Sequence, residues 1–235
     1  MKDFISKITF GFIMAQFVPG VITVFSLSML YVALLQNVQN SVTAMATSVV
    51  ILWASSFTKQ IIFIALCTGA GMVIHGLQWS VLGFLETPKT AVFDTWFHKQ
   101  RLIFQILTGP IIIIIEIIKM LLFCKSTRDA VIEENVQNIN KQDMEAFNFL
   151  QDFYLHFAQF YVHTSYALIS SLICVLIISV FFGFSIYRIE IILLIYFFCG
   201  LIFSIGRIQF ASLFCGEWDL VNKQKERNKV SATEH

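Results

Sequence analysis

The chain has 235 residues, 57% hydrophobic and only 13% charged, with a mean hydropathy of +0.75. An average soluble domain is about 25% charged, so a soluble globular protein is excluded, and a net charge of +1 excludes both a basic nucleic-acid-binding domain and an acidic disordered chain. Five apolar segments, 8–35, 60–85, 102–124, 164–187 and 189–206, contain only three charged residues, Glu116, Lys119 and Glu190, against 16 Lys or Arg and 15 Asp or Glu in the whole chain. The expected class is an all-α polytopic membrane protein.

The first two segments, 8–35 and 60–85, carry no Asp, Glu, Lys or Arg and exceed the roughly 20 residues that cross a hydrocarbon core. Such runs must be helical, because lipid offers the backbone no hydrogen-bond partner. The first is too long for a signal peptide and has no cleavage-like site after it. In the second, Gly69, Gly76 and Gly83 recur every seven residues, with Ala65 and Ser80 beside them, and form a helix-packing face. His75 and Gln78 lie in the same span, and an ionisable group at that depth usually faces a bundle interior or a watery cavity.

Segment 102–124 contains Gly109-Pro110, then Glu116 and Lys119. Proline kinks or ends a helix, and the piece after it is too short to span alone, so this segment is expected to be a membrane-associated or re-entrant element. Glu116 and Lys119, three apart, share a helix face and can pair. Together with His75, Gln78 and Gln105 they are candidates for a pore or gate. From Ile132 onward a heptad pattern appears: Ile132, Ile139, Ala146, Phe153 and Phe160 alternate with Val136, Asp143, Leu150 and Phe157. This is the seam of a helical stalk, 129–163, continuous with the third span at 164–187 and packed either on its own chain or on copies of itself. The fourth span is 189–206, with the turn at Tyr187-Arg188, and the tail after Trp218 is expected to end in disorder.

Lys and Arg concentrate on the cytoplasmic side of membrane proteins. Four spans (8–35, 60–85, 164–187, 189–206) with both termini inside place 13 of these residues inside and 2 outside. A fifth span at 102–124 reduces the bias to about 10 against 5, and a sixth at 42–58 gives 11 against 4. The expected localisation is therefore a cell (inner) membrane, with an N-terminal hairpin (1–85), a cytoplasmic helical region (86–163), a C-terminal hairpin (164–206) and a cytoplasmic tail (207–235).

Asp152, His156 and His163 fall on one helix face, but they are too widely spaced for a compact metal shell, and no metal or cofactor is expected. The five cysteines form no CxxC pair, and no hydrolase, metalloprotease or nucleotide-binding motif is present. A catalytic set would have to assemble from His75, Glu86, Asp94 and His98, whose spacing favours none, so an intramembrane lipid-modifying enzyme ranks last. Four spans enclose a pore only as several copies. The leading expectation is a homo-oligomeric effector, a tetramer by preference, that forms an ion channel gated from the cytoplasm by a soluble protein or a nucleotide or oligonucleotide ligand. The alternative is a non-conducting sensor that holds a soluble effector. In size and layout the chain resembles the small multi-span effectors and sensors of bacterial anti-phage systems, which implies membrane depolarisation or effector recruitment.

Overall fold

A computed structural model describes the backbone of residues 13–35, 57–85, 96–97, 99–123 and 156–233, with isolated positions at 47 and 145; within these, side chains at 14, 78–85, 119–120, 123 and 210–233 fall outside the description. The described residues form five helices. A π-helical turn, Ile13–Phe17, leads into α1, Val18–Leu35. The others are α2, Phe57–Leu85; α3, Leu102–Phe123; α4, His156–Phe182; and α5, Ile186–Thr233. Four stretches, Ala15–Leu35, Phe57–Leu77, His156–Phe182 and Ile186–Gln209, are long and apolar enough to cross a membrane, which marks the chain as a helical membrane protein.

Helix α4 occupies the centre: 56% of its span is buried, against 22–28% for the other three. It packs on α1 along one side and α5 along the other, with α2 beyond α1 and α3 beyond α5. Ile74, Ile113, Val162, Tyr166, Leu172 and Phe203 anchor the main core, and a smaller cluster of Val32, Ala33 and Ile178 closes the opposite end. Ser26 and Ser171 share a hydrogen bond of 2.6 Å between α1 and α4, while each also donates back to its own helix, Ser26 to Ile22 and Ser171 to Ala167.

The α4–α5 turn lies at Gly183–Ser185, not at Tyr187-Arg188. Gly183 takes φ +82°, a conformation that ends a helix cheaply only without a Cβ. Ser185 then caps α5: its Oγ accepts from the Arg188 amide at 3.3 Å and its carbonyl from the Ile189 amide at 3.0 Å. Arg188 belongs to the helix and donates its guanidinium to the Gly183 carbonyl. The tail also differs from expectation, because α5 continues as one helix to Thr233. Beyond Gly216 the sequence contains neither glycine nor proline to stop it. Of the stalk only its last residues lie within the description, and 156–163 do run unbroken into the third span.

Two helix crossings bring backbones into contact. A Cβ built on Gly20 would overlap the Cys67 carbonyl, and one on Gly71 would overlap the Gln16 carbonyl, so α1 and α2 meet without side chains between them. At the second crossing, a Cβ on Gly109 would lie 3.1 Å from Gly200 Cα and 3.2 Å from Phe203 Cδ1. Such contacts gain dispersion and weak Cα–H···O bonds, which matter where lipid competes poorly for backbone groups.

Candidate functional site: a polar layer and a reversed segment

Pro110 sits inside α3 without ending it. Proline brings no amide for the carbonyl four residues earlier, here Ile106. Helix α5 covers that carbonyl: Gly200 lies so close that a Cβ there would overlap the Ile106 oxygen. One residue on, the Tyr196 hydroxyl donates to the Leu107 carbonyl. The proline gap is thus closed by a neighbouring helix, the usual remedy in lipid.

The Gly109–Gly200 crossing and an ion pair further along fix the direction of α3. Arg207 Nη2 lies 3.3 Å from Glu116 Oε1, both side chains over 90% buried, and the Arg207 guanidinium stands 5.6 Å over the Phe203 ring. Helices α3 and α5 are therefore parallel. The partner of Glu116 is thus Arg207 on another helix; the expected pairing with Lys119 concerns a side chain outside the described residues.

At the same level stands a pair of imidazoles. The His75 and His163 rings meet edge to face at 5.2 Å, and His163 Nδ1 hydrogen-bonds to the Ala15 carbonyl in the π-turn. His163 Nε2 is buried with no hydrogen-bond partner among the described residues. Gly206 packs on Val162 and Tyr161, which joins this pair to the ion pair. One polar layer thus draws on every helix: Ala15 before α1, His75 from α2, Glu116 from α3, His163 from α4 and Arg207 from α5. Of the sequence candidates, the structure brings His75 and Glu116 into this layer.

Gln105 lies elsewhere, donating from Nε2 to the Gln100 carbonyl at 3.0 Å. There the chain reverses. Residues 96, 97 and 99 are helical, Gln100 bends, and α3 starts at Leu102. The Trp96 ring meets Phe104 at 6.1 Å and the Phe97 ring meets Phe203 at 6.4 Å, so these two residues lie back alongside α3 and α5. The tip carries Lys99, Gln100 and Arg101, and both cations are exposed. Counting 1.5 Å per residue, Arg101 lies about 12 Å beyond the Gly109–Gly200 crossing and about 9 Å short of the start of α5. The charge count placed Arg101 and Arg207 together on one side; along the bundle they are well separated.

Gly69 and Gly76 have nothing within 4 Å of a Cβ built on them, while Gly83 and Gln78 have side-chain surroundings outside the described residues. The close crossings among the described residues use Gly20, Gly71, Gly109 and Gly200 instead. In the stalk, Phe157 and Phe160 are half-buried, and positions Ile132, Val136, Ile139, Asp143, Leu150 and Phe153 lie outside the described residues. Glu86, Asp94 and His98 do so as well. Among the described residues no group of three His, Cys, Asp or Glu side chains is placed to hold a metal, and Cys67, Cys174 and Cys199 are buried free thiols.

Sequence reasoning missed Arg207 as a partner and Gly200 as a contact, although an arginine ending an apolar run and a glycine inside one are visible signals. No family model, curated protein or solved structure matches the chain.

Proposed function

We propose that this protein is the subunit of a homo-oligomeric membrane channel, a tetramer by preference, gated from the cytoplasmic side by a protein or nucleotide-type ligand. One observation supports this most: the reversed segment ending at Lys99-Gln100-Arg101, with its two exposed cations well inside the length of the spans. A Lys or Arg facing lipid costs about 2.5–3.5 kcal/mol at the bilayer centre and less toward the ends of a span, and by helix rise Arg101 lies about 9 Å inside the start of α5. Trp96 and Phe97 lie back alongside Phe104 and Phe203, as a re-entrant element would place them, and the cost disappears if the tip faces a water-filled axis between copies. Non-helical backbone at membrane depth is tolerated where it lines such a cavity.

The remaining features fit this arrangement. The small-residue Gly69/Gly76 face of α2 supplies a contact for a neighbouring copy. In the positive-inside orientation the polar layer lies at the cytoplasmic end, with the start of α4 and the α5 extension, where a partner would act. A role in defence against phage rests on the resemblance in layout. A second reading, a non-conducting scaffold, is favoured by the 48-residue α5, which extends far past its span as a docking rod.

The test combines particle mass with current. Purified full-length protein in detergent is expected to weigh several chains, and in planar bilayers to pass current whose open probability changes with cytoplasmic extract. A particle of one chain overturns the channel. A stable oligomer that never conducts selects the scaffold.

A further inference from the structure

We infer that the tip of the reversed segment is an anion-selective site, which takes small monovalent anions such as chloride; this rests on the channel reading above. The tip reads Lys99-Gln100-Arg101, two cations flanking an amide, and both cations are exposed. The ion pair seen among the described residues lies elsewhere, between Glu116 and Arg207; neither Lys99 nor Arg101 has a carboxylate within ion-pair distance among the described residues. The nearest acidic residue along the parallel α5 is Glu190, exposed and about 3 Å further toward the hairpin end by helix rise. Glu116 is thus paired with Arg207 at the other end, and Glu190 stands near the level of the tip without reaching ion-pair distance of either cation among the described residues.

Gln105, buried one turn into α3, donates to the Gln100 carbonyl and so fixes the bend. The Gln100 side chain donates back to the Trp96 carbonyl at 3.2 Å. The tip is therefore a braced turn, with Phe97 buried against Phe203 as its anchor. The amino end of α3 adds positive potential of the same sign. Repeated around an axis, such tips form a ring of Lys and Arg, the arrangement that selects anions in pores.

The experiment reads the sign of the local potential without needing an open channel. Gln100→Cys keeps both cations and places a thiol between them. In native membranes carrying the full-length variant, its labelling by a membrane-impermeant anionic methanethiosulfonate is compared with that by a cationic one. Each rate is normalised to a free thiol and corrected for wild-type labelling. The anionic reagent is expected to react on the order of tenfold faster, as a potential of about one kT on a monovalent charge requires. Adding Lys99→Gln and Arg101→Gln should bring the ratio toward one, whereas Lys59→Gln on α2 should leave it unchanged. Equal rates for both reagents overturn the anion site and leave the conduit standing. Labelling by neither reagent, in variants that extract at the wild-type particle mass, overturns the conduit itself.

Discussion

Removing Arg207 is expected to cost more than any other single change outside the helix crossings. Its partner Glu116 is 6% exposed, packed among α3, α4 and α5. Arg207→Leu would leave that carboxylate buried without its cation, and breaking a buried pair from one side costs about 3–5 kcal/mol. For a chain of this size each kcal/mol moves the melting temperature by roughly 2–4 °C, so a fall of about 10 °C is expected. Glu116→Leu alone should cost less, because arginine is long enough to redirect its charge toward the membrane edge. The double variant should recover most of the loss, since replacing a whole buried pair with apolar side chains is often neutral. Buried Cys67, Cys174 and Cys199 provide the assay: a fluorogenic thiol dye reports their exposure as detergent-solubilised protein is heated. Additive losses in the double variant, or a shift below about 2 °C for Arg207→Leu, would refute the coupling between these two charges.

Four further outcomes follow from the helix contacts and the heptad pattern. Gly200→Ala should separate α3 from α5, because the new methyl group overlaps the Ile106 carbonyl and backbone cannot yield as a side chain does; a large drop in melting temperature checks this. Gly76→Leu adds a bulky side chain to the Gly69/Gly76 face and should reduce the particle to fewer copies on a native gel, by steric exclusion at a contact between copies. Tyr196→Phe removes the hydroxyl that donates to the Leu107 carbonyl beside Pro110, with an expected loss of about 0.6–1.7 kcal/mol in the same thermal assay, the range for polar contacts between membrane helices. Asp143→Leu, at a seam position of the heptad pattern, should raise thermal stability of the oligomer, and an unchanged value would place that residue off any seam.

The four spans were legible because lipid imposes a length and a composition that few other structures satisfy: Ile8–Leu35 was already visible as uncharged chain, and the helix found there ends at Leu35. The turn between α4 and α5 was misplaced by four residues because charged Arg188 marked a boundary more loudly than Gly183 and Ser185, although glycine at a helix end followed by a serine cap is the stronger physical signal. Glu116 was recognised as a group in need of a partner, and the one that packing supplies among the described side chains, Arg207, lies ninety-one positions away and leaves no trace in local spacing. Glycine spacing speaks only for one helix at a time. The heptad of Gly69 and Gly76 made a regular pattern, whereas the glycines that bring backbones together within the chain, Gly20 with Gly71 and Gly109 with Gly200, sit on different helices and have no shared period.

The coupling of α3 to α5 connects the two ends of the bundle. Three contacts join these helices in sequence: the Tyr196 hydroxyl on the Leu107 carbonyl, Gly200 on the carbonyl exposed by Pro110, and Arg207 on Glu116. Each uses a different kind of force, and each is specific to one register. A one-residue slide would put a side chain where glycine must be, bare the Ile106 carbonyl and separate the charges together. Helix α5 also continues without a break to Thr233, so a force applied to its extension is transmitted past Arg207 rather than absorbed in a loop. Helix α3 must then move with α5, and the Lys99–Arg101 tip with α3. Glycine pairs placed at Ala211 and Ser212 would soften that rod by about 1 kcal/mol per residue. They should weaken the response of any current to cytoplasmic extract while leaving the thiol-reagent preference at the tip unchanged. Loss of the tip preference instead would show that the tip is held by the tail directly and not through α3.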